Sequence, residues 1–168
     1  MDPRLGSIFA RRSVRKYTDK KVDEADVRAL LEAGAAAPSA NNSKPWHFIA
    51  VTERKTLNAL ADLLPYGKML FQAPLAMAVC ADPSLSPRYW QQDCSAATEN
   101  ILLAASMLGL GAVWLGIYPR EDRLSGCRTL LGVPDSIETL SLIAIGHPAE
   151  RPEPRTQLED SRVHRERW

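Results

Sequence analysis

From Arg11 to Lys16 the chain reads Arg11-Arg12-Ser13-Val14-Arg15-Lys16, four cations and a hydroxyl within six residues. Guanidinium forks, a point charge and a hydroxyl donor are what a phosphate monoester requires; taken alone, the run also fits a solvated basic face at a helix end. A second candidate lies between Pro38 and Pro45. There Ser39, Asn41, Asn42, Ser43 and Lys44 offer donors and acceptors in a stretch stiffened by proline. Such a loop can read the edge of a heterocycle, or simply connect a helix to a strand. In a third segment, Gly109-Leu110-Gly111-Ala112-Val113-Trp114-Leu115-Gly116, glycines bracket an apolar strand. Backbone without side chains can lie close to a flat ligand, or to a packed helix. Arg151 and Arg155, among prolines near the C-terminus, offer a second phosphate contact or solubilising charge. Together the four segments describe a site for a flat heterocycle that carries a phosphate.

Other chemistries find little support. Gly109-Leu110-Gly111 lacks the third glycine of the dinucleotide fingerprint, and its strand follows the glycines instead of preceding them. No phosphate-loop, zincin or nucleophile-elbow motif is present. His47, His147 and His164 are too scattered for a metal site, so none is expected. Cys80, Cys94 and Cys127 are odd in number and widely spaced, which reads as three reduced core thiols in a cytoplasmic protein. Lys and Arg total 21 against 20 Asp and Glu, a net charge of +1. That balance provides no basic surface for nucleic acid or anionic membrane. No apolar run reaches transmembrane length, and Met1-Asp2-Pro3-Arg4 leads into no apolar signal region.

The elements that must position these residues follow from periodicity. With 168 residues, 45% hydrophobic and 24% charged, a single domain over 1–168 is expected. Residues 4–12 read as a short helix. Asp23 caps a helix to about Ala36, with Val27, Leu30, Leu31 and Gly34 on one face. Trp46–Thr52 reads as a strand, and Leu57, Leu60, Ala61 and Leu64 mark a further helix. Leu75–Ala81 is an apolar run of strand length. The longest helix spans Tyr89–Leu108, with a stripe of mostly small residues at Cys94, Ala97, Ile101, Ala105 and Leu108. Ala112–Tyr118 and Leu140–Ile145 read as strands, and between them Pro119 suits the first turn of a helix to about Leu131. Residues 148–168 lose the core period and end in Trp168, which reads as an arm packing on a partner's surface or as a frayed tail. The sum is an α+β fold, three layers (α/β/α) around a mixed sheet of about four strands.

Four segments, in order, resemble the nitroreductase family of flavoenzymes. Arg11-Arg12-Ser13-Val14-Arg15 is similar to its opening R-R/H-S-x-R/K motif. Ala37-Pro38-Ser39 through Lys44-Pro45-Trp46-His47-Phe48 resembles its A-P-S-x-x-N-x-Q-P-W-x-F loop. Gly109-Leu110-Gly111 with Trp114 and Gly116 resembles G-L-G-x-x-W-x-G, and Ile145–Glu150 resembles I-G-Y-P-x-E. The resemblance implies FMN bound at the interface of a homodimer, with NADH or NADPH as reductant. It further implies that Arg11, Arg12, Ser13 and Arg15 hold the phosphate, ribityl chain and pyrimidine edge, and that Arg155 returns to the phosphate. Pro38, Ser39, Asn42 and Lys44 belong to the implied cofactor site, Ser39 and Asn42 reaching it from the partner subunit. Backbone at Val113, Trp114 and Leu115 would face the flavin ring, and the chemistry would reside at flavin N5 with no catalytic side chain. Lys44 departs from the family's usual Gln, and no segment supplies the extra helices of larger relatives. The implied reaction is hydride transfer from NAD(P)H through flavin to a nitroaromatic, quinone or other conjugated acceptor. The alternatives are a flavin-binding or sensing protein without turnover, and a divergent dehalogenase or flavin-consuming enzyme.

Overall fold

The computed structural model describes residues 1–168. Its strands are β1 (Trp46–Val51), β2 (Leu75–Ala81), β3 (Gly111–Gly116) and β4 (Glu138–Gly146). They form one sheet in the order β1-β2-β4-β3, and all three ladders are antiparallel. The parallel component expected of a mixed sheet is confined to one isolated bridge, from Ser13 to Ala112. The helices are α1 (Gly6–Ala10), α2 (Glu24–Ala35), α3 (Arg54–Leu63), α4 (Trp90–Met107) and α5 (Glu121–Leu131).

The sheet is covered on both faces. Ala76, Ala78 and Cys80 of β2 join Leu57, Leu60 and Ala61 of α3 and Leu124 and Cys127 of α5 in one core. Leu75, Met77, Val79 and Ala81 point the other way, into a second core with α2 and α4. A strand buried on both faces has no polar positions, which is why β2 reads as an unbroken apolar run. The small residues of α4 are explained by the same packing: Cys94, Ala97, Ile101 and Ala105 lie against the sheet and are fully buried.

Local chemistry sets the element ends. Helix α4 stops where Gly109 adopts φ 74°; the Leu110 N–H then donates to Ala105 O at 2.8 Å and the Gly109 N–H to Ser106 O at 3.2 Å. This pairing satisfies carbonyls that the helix end leaves free, and its left-handed residue favours glycine. Four expectations are revised. The helix over 4–12 is a 3-10 turn at Pro3–Leu5 followed by α1, which ends at Ala10. Asp23 sits at the N-cap of α2 but makes no capping bond through its side chain. Pro119 lies outside α5, whose N-cap is Arg120, and β3 ends at Gly116 because Ile117 and Tyr118 both turn their N–H groups to Leu140 O. No helix is long and apolar enough to cross a membrane.

Candidate functional site

The basic run begins where α1 stops. Arg11 at the helix end is already extended, at φ −63° and ψ 118°. From there the chain is stitched between two neighbours. The Val14 N–H donates to Ala112 O at 3.0 Å on the edge of β3. On the far side the Thr18 N–H donates to His147 O and the Ala149 N–H to Lys16 O, both at 2.9 Å. Extended backbone sends successive side chains to opposite sides. Arg12 and Val14 accordingly line one cavity of about 450 Å³, together with Ser106, Leu110, Glu150 and Arg151. Arg11, Ser13 and Arg15 alternate with them. The expected helix end would have mixed these residues; the extended chain sorts them.

Their partners differ as well. The Arg12 guanidinium donates to the carbonyl of Glu153, tying down the start of the C-terminal arm. Arg11 pairs with Glu99 on α4 at 3.3 Å. The backbone N–H of Arg15 donates to the Glu150 carboxylate at 2.7 Å. The side chains of Ser13 and Arg15 have no hydrogen-bonding or ionic partner within the chain, so their donors are free. Arg155 is brought near by its own backbone, which donates to Phe9 O at 3.1 Å, and its guanidinium is free too.

Strand β3 supplies backbone donors. In an antiparallel ladder alternate residues direct both their N–H and C=O to the same side. Ala112 O accepts from Val14, so Ala112 faces away from β4, and with it Trp114 and Gly116. The Arg123 guanidinium confirms the direction by donating to Gly116 O at 2.7 Å. The Trp114 and Gly116 N–H groups are therefore outward donors at a sheet edge. Leu115 and Gly116 border a smaller cavity of about 130 Å³ with Pro65, Tyr66 and Arg123. A Cβ at Gly116 would meet nothing within 4 Å, whereas one at Gly111 would lie 2.6 Å from Val14 Cγ1. The two glycines thus do different work: one leaves open space, the other admits the basic segment. Val113 and Leu115 have the opposite parity: their side chains are buried and their N–H and C=O groups turn to β4. Of the three expected backbone contacts at Val113, Trp114 and Leu115, only the one at Trp114 therefore lies on the open edge.

The third group is the loop before β1. Asn41, Asn42 and Lys44 all have positive φ, 53°, 56° and 48°. Non-glycine residues held in this region are strained and tend to mark functional loops. The Ser39 hydroxyl accepts from the Lys44 N–H at 2.9 Å, closing the loop on itself. Pro38, Asn42 and Lys44 are exposed, and the Asn42 and Lys44 side chains are free. One anchor escaped the sequence reading. The buried Asp93 of α4 accepts from the Ala40 N–H at 2.8 Å and from the Ser86 hydroxyl at 2.7 Å. Its signal is a carboxylate beside Cys94 on the buried stripe of α4.

Within one chain the basic segment lies along the start of β3, but the 38–44 loop opens on a different cavity. Arg12 lines one cavity, Leu115 and Gly116 border a second, and Ala40 and Asn41 face Leu85–Tyr89 across a third. The sequence model of the Nitroreductase family matches residues 8–66 and 59–147. The chain belongs to the nitroreductase family. An Archaeoglobus fulgidus protein with the provisional name NADH dehydrogenase/NAD(P)H nitroreductase is 46% identical over 175 residues, covering 100% of both chains. A Parabacteroides distasonis protein of the same provisional name has a crystal structure that matches with a TM-score of 0.96 and 41% identity, again over 100% of each chain. A provisionally named nitroreductase from Desulfovibrio desulfuricans, solved in complex with FMN, is 32% identical with a TM-score of 0.85, covering 100% of this chain and 99% of that one.

The cysteines of this nitroreductase-family chain stand apart from all three groups. Each is buried and unpaired with another cysteine. Burial pushes the Cys94 and Cys127 thiols up to about 12, and the Cys80 thiol upward. A thiol so placed stays protonated at neutral pH and is a poor nucleophile.

Proposed function

We propose that the chain is an FMN-dependent oxidoreductase that takes hydride from NADH or NADPH and delivers electrons to a nitroaromatic, a quinone or another conjugated acceptor. The observation that carries this reading is the full-length similarity to a nitroreductase solved in complex with FMN. The residues present fit that cofactor. Ser13, Arg15 and Arg155 have free donors of the kind a phosphate and a pyrimidine edge require, and the open edge at Trp114 and Gly116 offers backbone N–H groups to a flat ring. Bound FMN supplies the hydride chemistry, accepting at N5. The chain's own part is to hold it: Arg15, Ser13 and Arg155 neutralise and orient, and β3 presents fixed dipoles.

The reading includes a homodimer with the flavin between subunits. The loop 38–44 and the basic segment face different cavities in one chain, so a second copy would bring them together. The arm supports this: Leu158 and Val163 are exposed, and Trp168 is fully exposed, stacked only on His164 at 4.3 Å between ring centres. The three unpaired thiols suit a reducing compartment such as the cytoplasm.

The test is purification with FMN, followed by anaerobic mixing with each nicotinamide and then with an acceptor screen. Flavin bleached by NADH or NADPH and re-oxidised by a conjugated acceptor is expected. Bound flavin reduced only by dithionite would leave a binding protein without turnover. A folded protein that takes up no FMN would overturn the reading.

A further inference from the structure

Asp93 is the single buried charged side chain of the molecule, 5% exposed. No cation pairs with it. Its compensation is hydrogen bonding from two loops, Ala40 N–H to Oδ1 and Ser86 Oγ to Oδ2, and its place in the first turn of α4, where the helix dipole favours negative charge. A buried carboxylate is seldom the most stable filling for such a position; apolar packing commonly does as well or better. What this one does is geometric. The carboxylate joins the start of α4, the loop over 82–89 and the first donor of the turn Ala40–Asn42. The residues directly after that donor, Asn41 and Asn42, are in the left-handed region, and Lys44 follows in the same conformation. A strained loop keeps its shape only when its surroundings over-determine it. The bonds inside the loop are few: Lys44 N–H to Ser39 Oγ, Asn42 N–H to Ser39 O and Ser43 N–H to Ala40 O. Asp93 provides the tie from outside.

We infer that Asp93 is a positioning residue that presets the 38–44 loop for the flavin and locks it to the 82–89 loop through Ser86. The inference rests on the function proposed above, in which Ser39 and Asn42 meet the cofactor. Asp93 does not touch the flavin in this scheme; it acts through the Ala40 amide. The isosteric amide of Asp93→Asn keeps an acceptor for Ala40 N–H and can donate to Ser86 Oγ, so shape is preserved without charge. Asp93→Ala removes both acceptors.

The experiment compares wild type, Asp93→Asn, Asp93→Ala and Ser86→Ala by FMN titration of the apoprotein and by hydrogen exchange of the peptide over 38–45. Asp93→Ala is expected to weaken FMN about tenfold or more, the scale of a lost charge-assisted hydrogen bond, and to speed exchange at Ala40. Turnover of the flavin-saturated Ala variant should change far less than its FMN affinity. Asp93→Asn is expected within about threefold of wild type in FMN affinity, and Ser86→Ala between the two. Should Asp93→Ala fail to fold, the ordering of Asn and Ser86→Ala still decides. Asp93→Asn as damaging as Asp93→Ala would show that charge, not positioning, matters and would overturn the inference. Unchanged exchange at Ala40 in Asp93→Ala, or in Ser86→Ala where the first is unfolded, would overturn it too. Wild type that binds no FMN would refute the proposed function instead, with Ala40 exchange still reporting on the tie.

Discussion

At the scale of single residues, neighbours in sequence have separate tasks. Arg12 and Arg15 both belong to the basic run, yet Arg12 is spent on the arm through Glu153 O while Arg15 keeps its guanidinium free. Arg15→Ala should therefore weaken FMN by about 1.5–3 kcal/mol, the range for a hydrogen bond to a charged group. Arg12→Ala should instead speed hydrogen exchange around residues 153–155, with a smaller effect on FMN. Titrating both variants with FMN at moderate salt checks the contrast; equal losses would return Arg12 to the anion site. Buried titrating groups carry a second expectation. Tyr17, Cys94 and Cys127 are all held above their ordinary values by burial. In the unfolded chain the thiols ionise near pH 9, whereas the folded thiols wait until about 12. Above pH 9 the unfolded state thus binds fewer protons than the folded state, and stability falls as pH rises. Urea midpoints measured from pH 7 to 11 should decline beyond about 9 and be flat with respect to these groups below it. The identities of the site residues were open to sequence reading because arginine, serine and asparagine declare their chemistry by type. Their sorting was not, since which side Arg12 takes depends on helix α1 ending at Ala10. Asp93 was hidden for a related reason: a carboxylate in the first turn of a helix looks like ordinary dipole compensation until the fold brings Ala40 against it.

At the scale of elements, the basic segment is in place because β3 begins with a glycine. Residues 13 and 14 pair with Ala112 and cover part of the sheet edge, and Gly111 lets Val14 come within contact distance. Gly111→Ala would set its Cβ 2.6 Å from Val14 Cγ1 and 3.2 Å from Pro148 Cβ. Overpacking of this kind costs about 1–3 kcal/mol, and the basic segment would be displaced with it. Gly116→Ala, which meets nothing within 4 Å, should leave the melting temperature of the apoprotein within about 2 °C. Thermal melts of the two variants compare the elements directly, and equal shifts would remove the distinction between a packing glycine and an open one. Strands and helices were read well where burial imposes a single pattern. Strand β2 appears at the bounds its apolar run gives, Leu75–Ala81, because both of its faces are core. The ends of β3 were read less well. Its apolar residues continue through Ile117 and Tyr118, but the N–H groups of both turn to Leu140 O, a tertiary choice that composition does not encode.

At the scale of the whole molecule, the separation of the 38–44 loop from the basic segment and its β3 edge is what supports the proposed homodimer. The loop 38–44 is strained, tied down by Asp93 and exposed at Asn42 and Lys44. The basic segment and the β3 edge lie at other cavities. An arm ending in a fully exposed tryptophan leaves apolar surface that an isolated domain seldom presents. If each site takes its basic segment from one chain and its loop from the other, damage can be complemented. A chain carrying Arg15→Ala and a chain carrying Asn42→Ala each assemble into homodimers with two impaired sites. Mixed by unfolding and refolding together, half of the dimers are heterodimers. In each heterodimer one site combines both lesions and the other receives an intact basic segment and an intact loop. Tight FMN binding should therefore reappear in the mixture at about one site per heterodimer, although neither variant shows it alone. Sites built wholly within one chain give the opposite result, because every site then retains one lesion and no tight binding returns. Titrating FMN into the purified, differently tagged heterodimer separates the two arrangements. Deleting residues 156–168 from both chains should then speed subunit exchange in the same preparation, since every residue of that stretch is exposed within one chain. Exchange at an unchanged rate would leave the arm without a part in holding the subunits together.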